Sequence, residues 1–481
     1  MRPASHGPAE QRPYCSDIDG KVGAMAETWV GATAKQIARA VRRGDTSATQ
    51  VIADHLDHVR RTDPIVAAFR VVRAAEAALE AEQVDDEPDL GSLPLAGVPI
   101  AVKENTPVAG IRTFNGSEAA AQTVAEQDHE LVRRLRGAGA VVLGTTRMSE
   151  LGLWGTTDDD TAVTRNPWAL ERTPGGSSGG SAAAVSSGLV PIAHANDGLG
   201  SVRIPAACCG LVGLKPGRGV LPVAMSHEDY WFGLVEHGIL ATTVADAALG
   251  FAVLSGRTPQ PLTQPGRLRI AVSLRSPLEG AGPDQDTRAA VQSAAKQLVE
   301  AGHDTITADP PYSRSLGMRG VATWFAVAYR DAIESKMDVA RLQRRTRRHI
   351  RMGEWAWRKG YVREQDRLDF RDLCLGFFSD HGVDVLMTPV LARSPLVARQ
   401  WHRRGWLPNL VANMRYAPFA AAWNITGFPA LTVPVGVRAD GMPASVQLVG
   451  PPGTELLLLA VAGQMELTAP WRRHAPGYPR P

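Results

Sequence analysis

Apolar positions recur at helical spacing from Thr33 to Arg43, and Gly44 is placed to end that run. Asp45, Thr46 and Ser47 then offer N-caps for a second helix expected to reach about Arg60. An alanine-rich third helix is expected over Arg70 to Gln83, followed by an acidic, proline-containing surface loop from Val84 to Pro94. From Leu95 onward the period changes. Short β-like runs at Val98–Val102, Ala140–Gly144, Leu189–His194, Leu268–Val272, Asp384–Thr388 and Ala430–Val435 alternate with helical patterns. That alternation predicts an α/β fold, a sheet with helices on both faces. The stretch from about 277 to 380 departs from it, with helical patterns, an arginine-rich run (Arg341 to Arg351) and aromatics at Trp324, Phe325, Tyr329, Trp355, Trp357 and Tyr361. It is expected to be a helical insertion near the mouth of a site, its arginines a solvated helix face rather than a nucleic-acid surface.

Composition narrows the class. Hydrophobic residues at 44% and charged residues at 21% of 481 are ordinary for a globular chain with a large core. A net charge of +3 with a pI near 8.7 is too mild to imply nucleic acid. The four cysteines (Cys15, Cys208, Cys209, Cys374) form neither a disulfide framework nor a zinc spacing, and Cys208 and Cys209 are expected to be buried thiols. No stretch reaches the ~18 apolar residues that span a bilayer, and residues 1–25 lack the apolar core of a secretory signal. They read as a disordered tail, with Met25 an alternative start, before a domain over 26–475. A cytoplasmic protein, monomer or homodimer, with no membrane or nucleic-acid partner is expected.

The chemistry concentrates between Lys103 and Cys209. Lys103 closes the apolar run Gly97-Val98-Pro99-Ile100-Ala101-Val102, which would deliver its amine into the interior. Alone, a strand-end lysine more often reaches for water. Two serine-bearing glycine loops change that reading: Gly175-Gly176-Ser177-Ser178-Gly179-Gly180, and Asp197-Gly198-Leu199-Gly200-Ser201-Val202-Arg203, with Ser177 and Ser201 24 residues apart. A serine hydroxyl needs a base, and a lysine can be that base if burial keeps it neutral near pH 7. The backbone N–H groups of Gly198, Leu199, Gly200 and Ser201 are expected to converge on a developing oxyanion. Asp197 and Arg203 are expected to pair and brace the loop, and Pro205 suits the first turn of a short helix.

Weaker patterns compete. The first loop lacks the Lys-Ser/Thr ending of a phosphate-binding loop. Its match to G-x-S-x-G would need a preceding strand, whereas Asn166 to Pro174 reads as loop. Ser293-Ala294-Ala295-Lys296 matches S-x-x-K without its partner motifs, and His55 and His58, one helical turn apart, read as surface residues. No metal and no cofactor is expected.

At these residues the chain resembles the amidase signature family. Gly97 to Asn105 is similar to its lysine strand, Asn166 to Gly188 to its glycine–serine signature, and Asp197 to Pro216 to its nucleophile segment. Resemblance resumes at Ala241–Ala248, Asn424–Pro429 and Val446–Gly450, covering about Trp29 to Trp471. The resemblance implies one large mixed β-sheet covered by helices on both faces. It implies Ser201 as nucleophile, Ser177 as a relay entered through a cis peptide from Gly176, and Lys103 as base. It places Met148 beside the site; Leu199 and Trp231 are further pocket candidates. Leu199 stands where the family usually has glycine, which bears on the loop conformation and the size of the pocket. The spelling His194-Ala195-Asn196-Asp197-Gly198 resembles the branch containing hydrolases of nylon oligomers, aryl amides and carbamates. The expected substrate is a small amide, aryl or oligomeric first and carbamate (urethane) second, with esters plausible. The alternatives are a glutaminase subunit of a tRNA-dependent amidotransferase and a non-catalytic binding relative.

Overall fold

The computed structural model describes residues 28–119, 124–223, 230–335 and 337–479; the expected tail over 1–25, with Met25, lies outside them. Its strands are β1 (Phe69–Val72), β2 (Pro99–Lys103), β3 (Val141–Thr146), β4 (Ile192–Asp197), β5 (Val212–Lys215), β6 (Glu236–Ala241), β7 (Arg269–Val272), β8 (Asp304–Thr307), β9 (Val385–Pro389), β10 (Ala430–Val437) and β11 (Pro443–Val449). They form one 11-stranded sheet in the order β1-β3-β2-β4-β6-β5-β10-β11-β9-β7-β8. The sheet is mixed: β2 lies parallel to both β3 and β4, whereas β4, β6, β5, β10 and β11 pair antiparallel in succession. Every residue of β2, β3, β4 and β6 is buried. Because neighbouring side chains on a strand point to opposite faces, both faces of this central region are covered.

The first helix is Ala34–Arg43, closed by a capping box between Thr33 and Gln36 and stopped by Gly44 in the left-handed conformation. The second starts at the Ser47 cap as expected but runs to Val66, past Arg60, because Val59, Thr62 and Val66 keep burying one face. Arg70 is not helical. It lies in β1, and the third helix is Ala74–Asp85. β4 starts at Ile192, later than Leu189, since Pro191 has no N–H to give a ladder. His55 and His58 are buried rather than exposed, bonded to the carbonyls of Val51 and Ser187.

The stretch 277–380 holds the helices Gln285–Glu300, Arg314–Glu334, Arg344–Arg358 and Glu364–His381, and also β8, which joins the sheet beside β7. Its arginine run is only partly solvated: Arg345 is fully buried and pairs with Asp158 at 3.2 Å. Among the described residues no helix is long and apolar enough to cross a membrane.

Candidate active site

The sheet register brings the lysine and the second serine loop together. Ile100 on β2 lies beside Ile192 on the parallel β4, so Lys103 arrives level with the last residues of β4, at the carboxyl ends of both strands. Lys103 is fully buried, and its Nζ lies 2.7 Å from Ser177 Oγ, 2.6 Å from Asn196 Oδ1 and 3.3 Å from the Asn196 carbonyl. The Asn196 amide is oriented in turn by its Nδ2, which donates to Asn105 Oδ1 at 2.9 Å. Burial brings the lysine pKa down to about 7, against the opposing pull of the Asp197 and Glu104 charges. A neutral amine has two N–H groups and one lone pair. The two Asn196 oxygens match the N–H groups, which turns the lone pair toward the Ser177 hydroxyl.

The first serine loop contains no strand before Ser177, and the helix Gly179–Ser186 follows it. The Gly176–Ser177 peptide is cis. Ser178 Oγ donates to the Asn196 carbonyl at 3.2 Å, tying this loop to the end of β4.

Asp197, the last residue of β4, points away from Lys103 by strand alternation and organises the second loop. Its carboxylate accepts from the N–H groups of Gly200 (2.6 Å) and Val202 (3.1 Å) and from Arg203 Nε (2.9 Å) and Nη2 (3.0 Å). Asp197 and Arg203 are both fully buried. Burial alone would raise the Asp197 carboxyl, but Arg203 holds it well below the usual range. Arg203 also bonds Gln447 Oε1 and Asn424 Oδ1, each at 2.6 Å, so the late segments of the chain clamp the loop. Of the four backbone donors expected to converge on an oxyanion, that of Gly200 is already committed to Asp197. The loop needs its glycines: at Gly200 φ is +123° and a Cβ would lie 2.6 Å from Ala420 Cβ, while a Cβ on Gly198 would lie 2.6 Å from the Trp231 ring. Leu199 is not among the residues of positive φ, so its side chain sits there without a glycine-only backbone.

Ser201 opens into a cleft of about 910 Å³, its mouth included, walled by Leu199, Trp231, Trp154, Trp324 and Phe370 among others, with no Asp, Glu, Lys or Arg among the described residues that line it. The Trp324 indole N–H is bonded to the Leu153 carbonyl at 3.0 Å, leaving the ring as an apolar wall. Of the pocket candidates, Leu199 and Trp231 line the cleft; Met148 is buried and does not. Of the aromatics expected near the mouth, Trp324 lines it, whereas Trp357 and Tyr361 line a neighbouring chamber. Cys208 is buried as expected, and burial pushes its thiol up to about 12, too high for a nucleophile. Among the described residues no group of three or more His, Cys, Asp or Glu is arranged to hold a metal ion. Asn196 and Asn105 were missed as site residues. Their signal lay in the pattern, since Asn196 alternates with Asp197 on β4 and must face the lysine side.

The Amidase family model matches residues 50–459. A Mycobacterium tuberculosis protein named as an amidase, AmiB2, is 40% identical over 469 residues, 93% of this chain and 98% of the relative. The 6-aminohexanoate-cyclic-dimer hydrolase of Paenarthrobacter ureafaciens is 32% identical over 491 residues, 94% of this chain and 97% of that enzyme. A solved structure of 6-aminohexanoate cyclic dimer hydrolase with its substrate superposes with a TM-score of 0.81 at 28% identity, covering 94% of this chain and 99% of the other.

Proposed function

This chain belongs to the Amidase family and is an enzyme of amide hydrolysis; from that premise we propose that it works through an acyl-enzyme on Ser201, with Ser177 as relay and Lys103 as base. The observation that carries the reading is the 2.7 Å approach of buried Lys103 Nζ to Ser177 Oγ beside the cleft that Ser201 lines. Ser201 Oγ attacks the carbonyl carbon, its proton passes to Ser177 Oγ, and the Ser177 proton passes to the lysine lone pair. The lysine, now charged and donating to Ser177 Oγ, returns a proton by the same path to the leaving nitrogen as the carbon–nitrogen bond breaks. Water then attacks the acyl-enzyme and gives its proton to the lysine through Ser177; as the bond to Ser201 Oγ breaks, that proton returns through Ser177 to Ser201 Oγ, which releases the acid and restores the free enzyme. Protonating the amine is the demanding step for an amide, and a base that becomes an acid close by suits it. With the Gly200 N–H committed to Asp197, those of Gly198, Leu199 and Ser201 serve the oxyanion in this reading.

The preferred substrates are amides with aryl or long apolar groups, because the cleft offers aromatic and aliphatic walls and, among the described residues, no charged side chain. Apolar aryl carbamates fit the same walls and come second. The test is labelling with a fluorophosphonate followed by an anilide assay. Ser201 should take the label, and Ser201→Ala should lose both the label and at least about ten-thousandfold in turnover. Unimpaired anilide turnover in that variant would sink the assignment.

A further inference from the structure

A second chamber adjoins the apolar cleft, and the two share Gly320 and Ile425 as lining. Its character is opposite. Arg218, Arg319, Arg330, Arg363 and Arg367 line it, against two carboxylates, Glu364 and Asp366. Arg319 pairs with Asp366, Arg367 with Glu364, and Arg330 with Glu334. Arg218 and Arg363 have no carboxylate within ion-pair distance among the described residues; backbone carbonyls hold them instead, those of Gly233 (2.8 Å) and Asn424 (3.0 Å) for Arg218 and that of Gly360 (3.1 Å) for Arg363. Among the described residues, then, no carboxylate matches the charge of these two guanidinium groups. Its floor is aromatic, Phe232 stacked on Trp357 at 5.5 Å with the Arg330 guanidinium 4.6 Å above the Phe232 ring. Arg367 is crowded as well: burial, then the nearby Arg371 charge, lowers its pKa.

Where the two chambers meet, the lining is a glycine and an isoleucine. Gly320 lies within the helix Arg314–Glu334, and a Cβ there would lie 3.5 Å from Ile425 Cδ1, so a larger side chain would fill the boundary that a ligand reaching from one chamber into the other has to cross.

We propose that this arginine chamber holds a carboxylate borne by the substrate itself, so that the enzyme's best substrates are amides with an apolar body in the first cleft and a carboxylate at the far end. The inference deepens the hydrolase reading and rests on it for the word substrate, but binding to the chamber can be measured without turnover. The planar fork of an arginine suits a carboxylate, and a charge whose only counter-charge is the ligand discriminates strongly against a neutral analogue.

The probes are 6-phenylhexanoate and 6-phenylhexan-1-ol, neither of which is hydrolysed, titrated calorimetrically into the unmodified protein at low salt. The carboxylate should bind more tightly than the alcohol by about tenfold or more. That ratio should fall toward one in Arg363→Glu, a substitution at an exposed position, and in Gly320→Leu, which a helix tolerates and which fills that boundary. Equal affinity for the two probes would overturn the proposal, as would a preference that survives both substitutions. Added free acetate should not make the alcohol bind like the acid; if it does, the chamber takes a separate anion and the substrate-borne carboxylate is wrong. Fluorophosphonate labelling of Ser201 in the same preparation reports independently on the hydrolase reading, so either can fail alone.

Discussion

In the proposed reaction Lys103 accepts a proton, and before it does so it sits in the interior. Both follow from one fact, that water is excluded around its amine. With the pKa brought down to about 7, turnover of an anilide should rise from pH 6 to pH 8 and level off above that, when chemistry limits the rate. Burial sets that midpoint, and the acceptors that touch the amine from Asn196 are neutral oxygens. Asn196→Asp would place a full negative charge 2.6 Å from Nζ and hold the lysine protonated. The pH–rate midpoint should move up by about one unit or more. A merely structural role for Asn196 would lower the rate at every pH without moving the midpoint. The same pKa has a cost in stability. The folded value lies below the unfolded one, so the unfolded chain binds more protons between about 7 and the ordinary lysine value of 10.5, and stability rises with pH through that window. The gain from pH 7 to pH 10, measured by denaturant unfolding, should be smaller in Lys103→Met, which should be inactive but folded.

The Ser201 loop is organised around one carboxylate, that of Asp197, which Gly200, Val202 and Arg203 all reach. Asp197→Ala would leave Arg203 buried with no counter-charge and should destabilise the protein by about 3–5 kcal/mol in denaturant unfolding. Leu199 plays a different part: its side chain faces the cleft while its backbone needs no glycine conformation. Leu199→Gly should therefore enlarge the pocket and shift relative kcat/KM toward bulky acyl anilides by about 1–3 kcal/mol. A uniform loss across a graded series would assign Leu199 to loop support instead. Elements of this kind were legible in the chain because glycine, serine and charge stand at fixed intervals there. Other elements were not. β1 is four residues long and half-exposed, and a helix begins two residues after it, so its Arg70 reads as helical. β6 begins with Glu236 and His237, both buried, and nothing local distinguishes a buried polar strand end from a turn. Met148, placed beside the site by likeness of motif, is off the cleft wall but near the first serine: a Cβ on Gly152 would lie 3.6 Å from Met148 Cε and 3.5 Å from Ser177 Oγ.

At the scale of the molecule, the apolar cleft settles which amides can enter. Glutamine brings an ammonium and a carboxylate, and among the described residues no charged side chain lines the space around Ser201 to receive the ammonium. Its kcat/KM should fall below that of acetanilide by at least about a hundredfold; comparable values would favour the glutaminase alternative.

The proposed relay, base and nucleophile all lie between Lys103 and Ser201, on neighbouring strands and the loops beside them, whereas much of the cleft wall comes from residues 277–425. A protein laid out this way can change its diet without relearning its chemistry. Substitutions at Leu278, Val321, Trp324 or Met414 alter what fits while leaving the register of β2 against β4 untouched, so selection on new amides has a long, separate stretch of sequence on which to act.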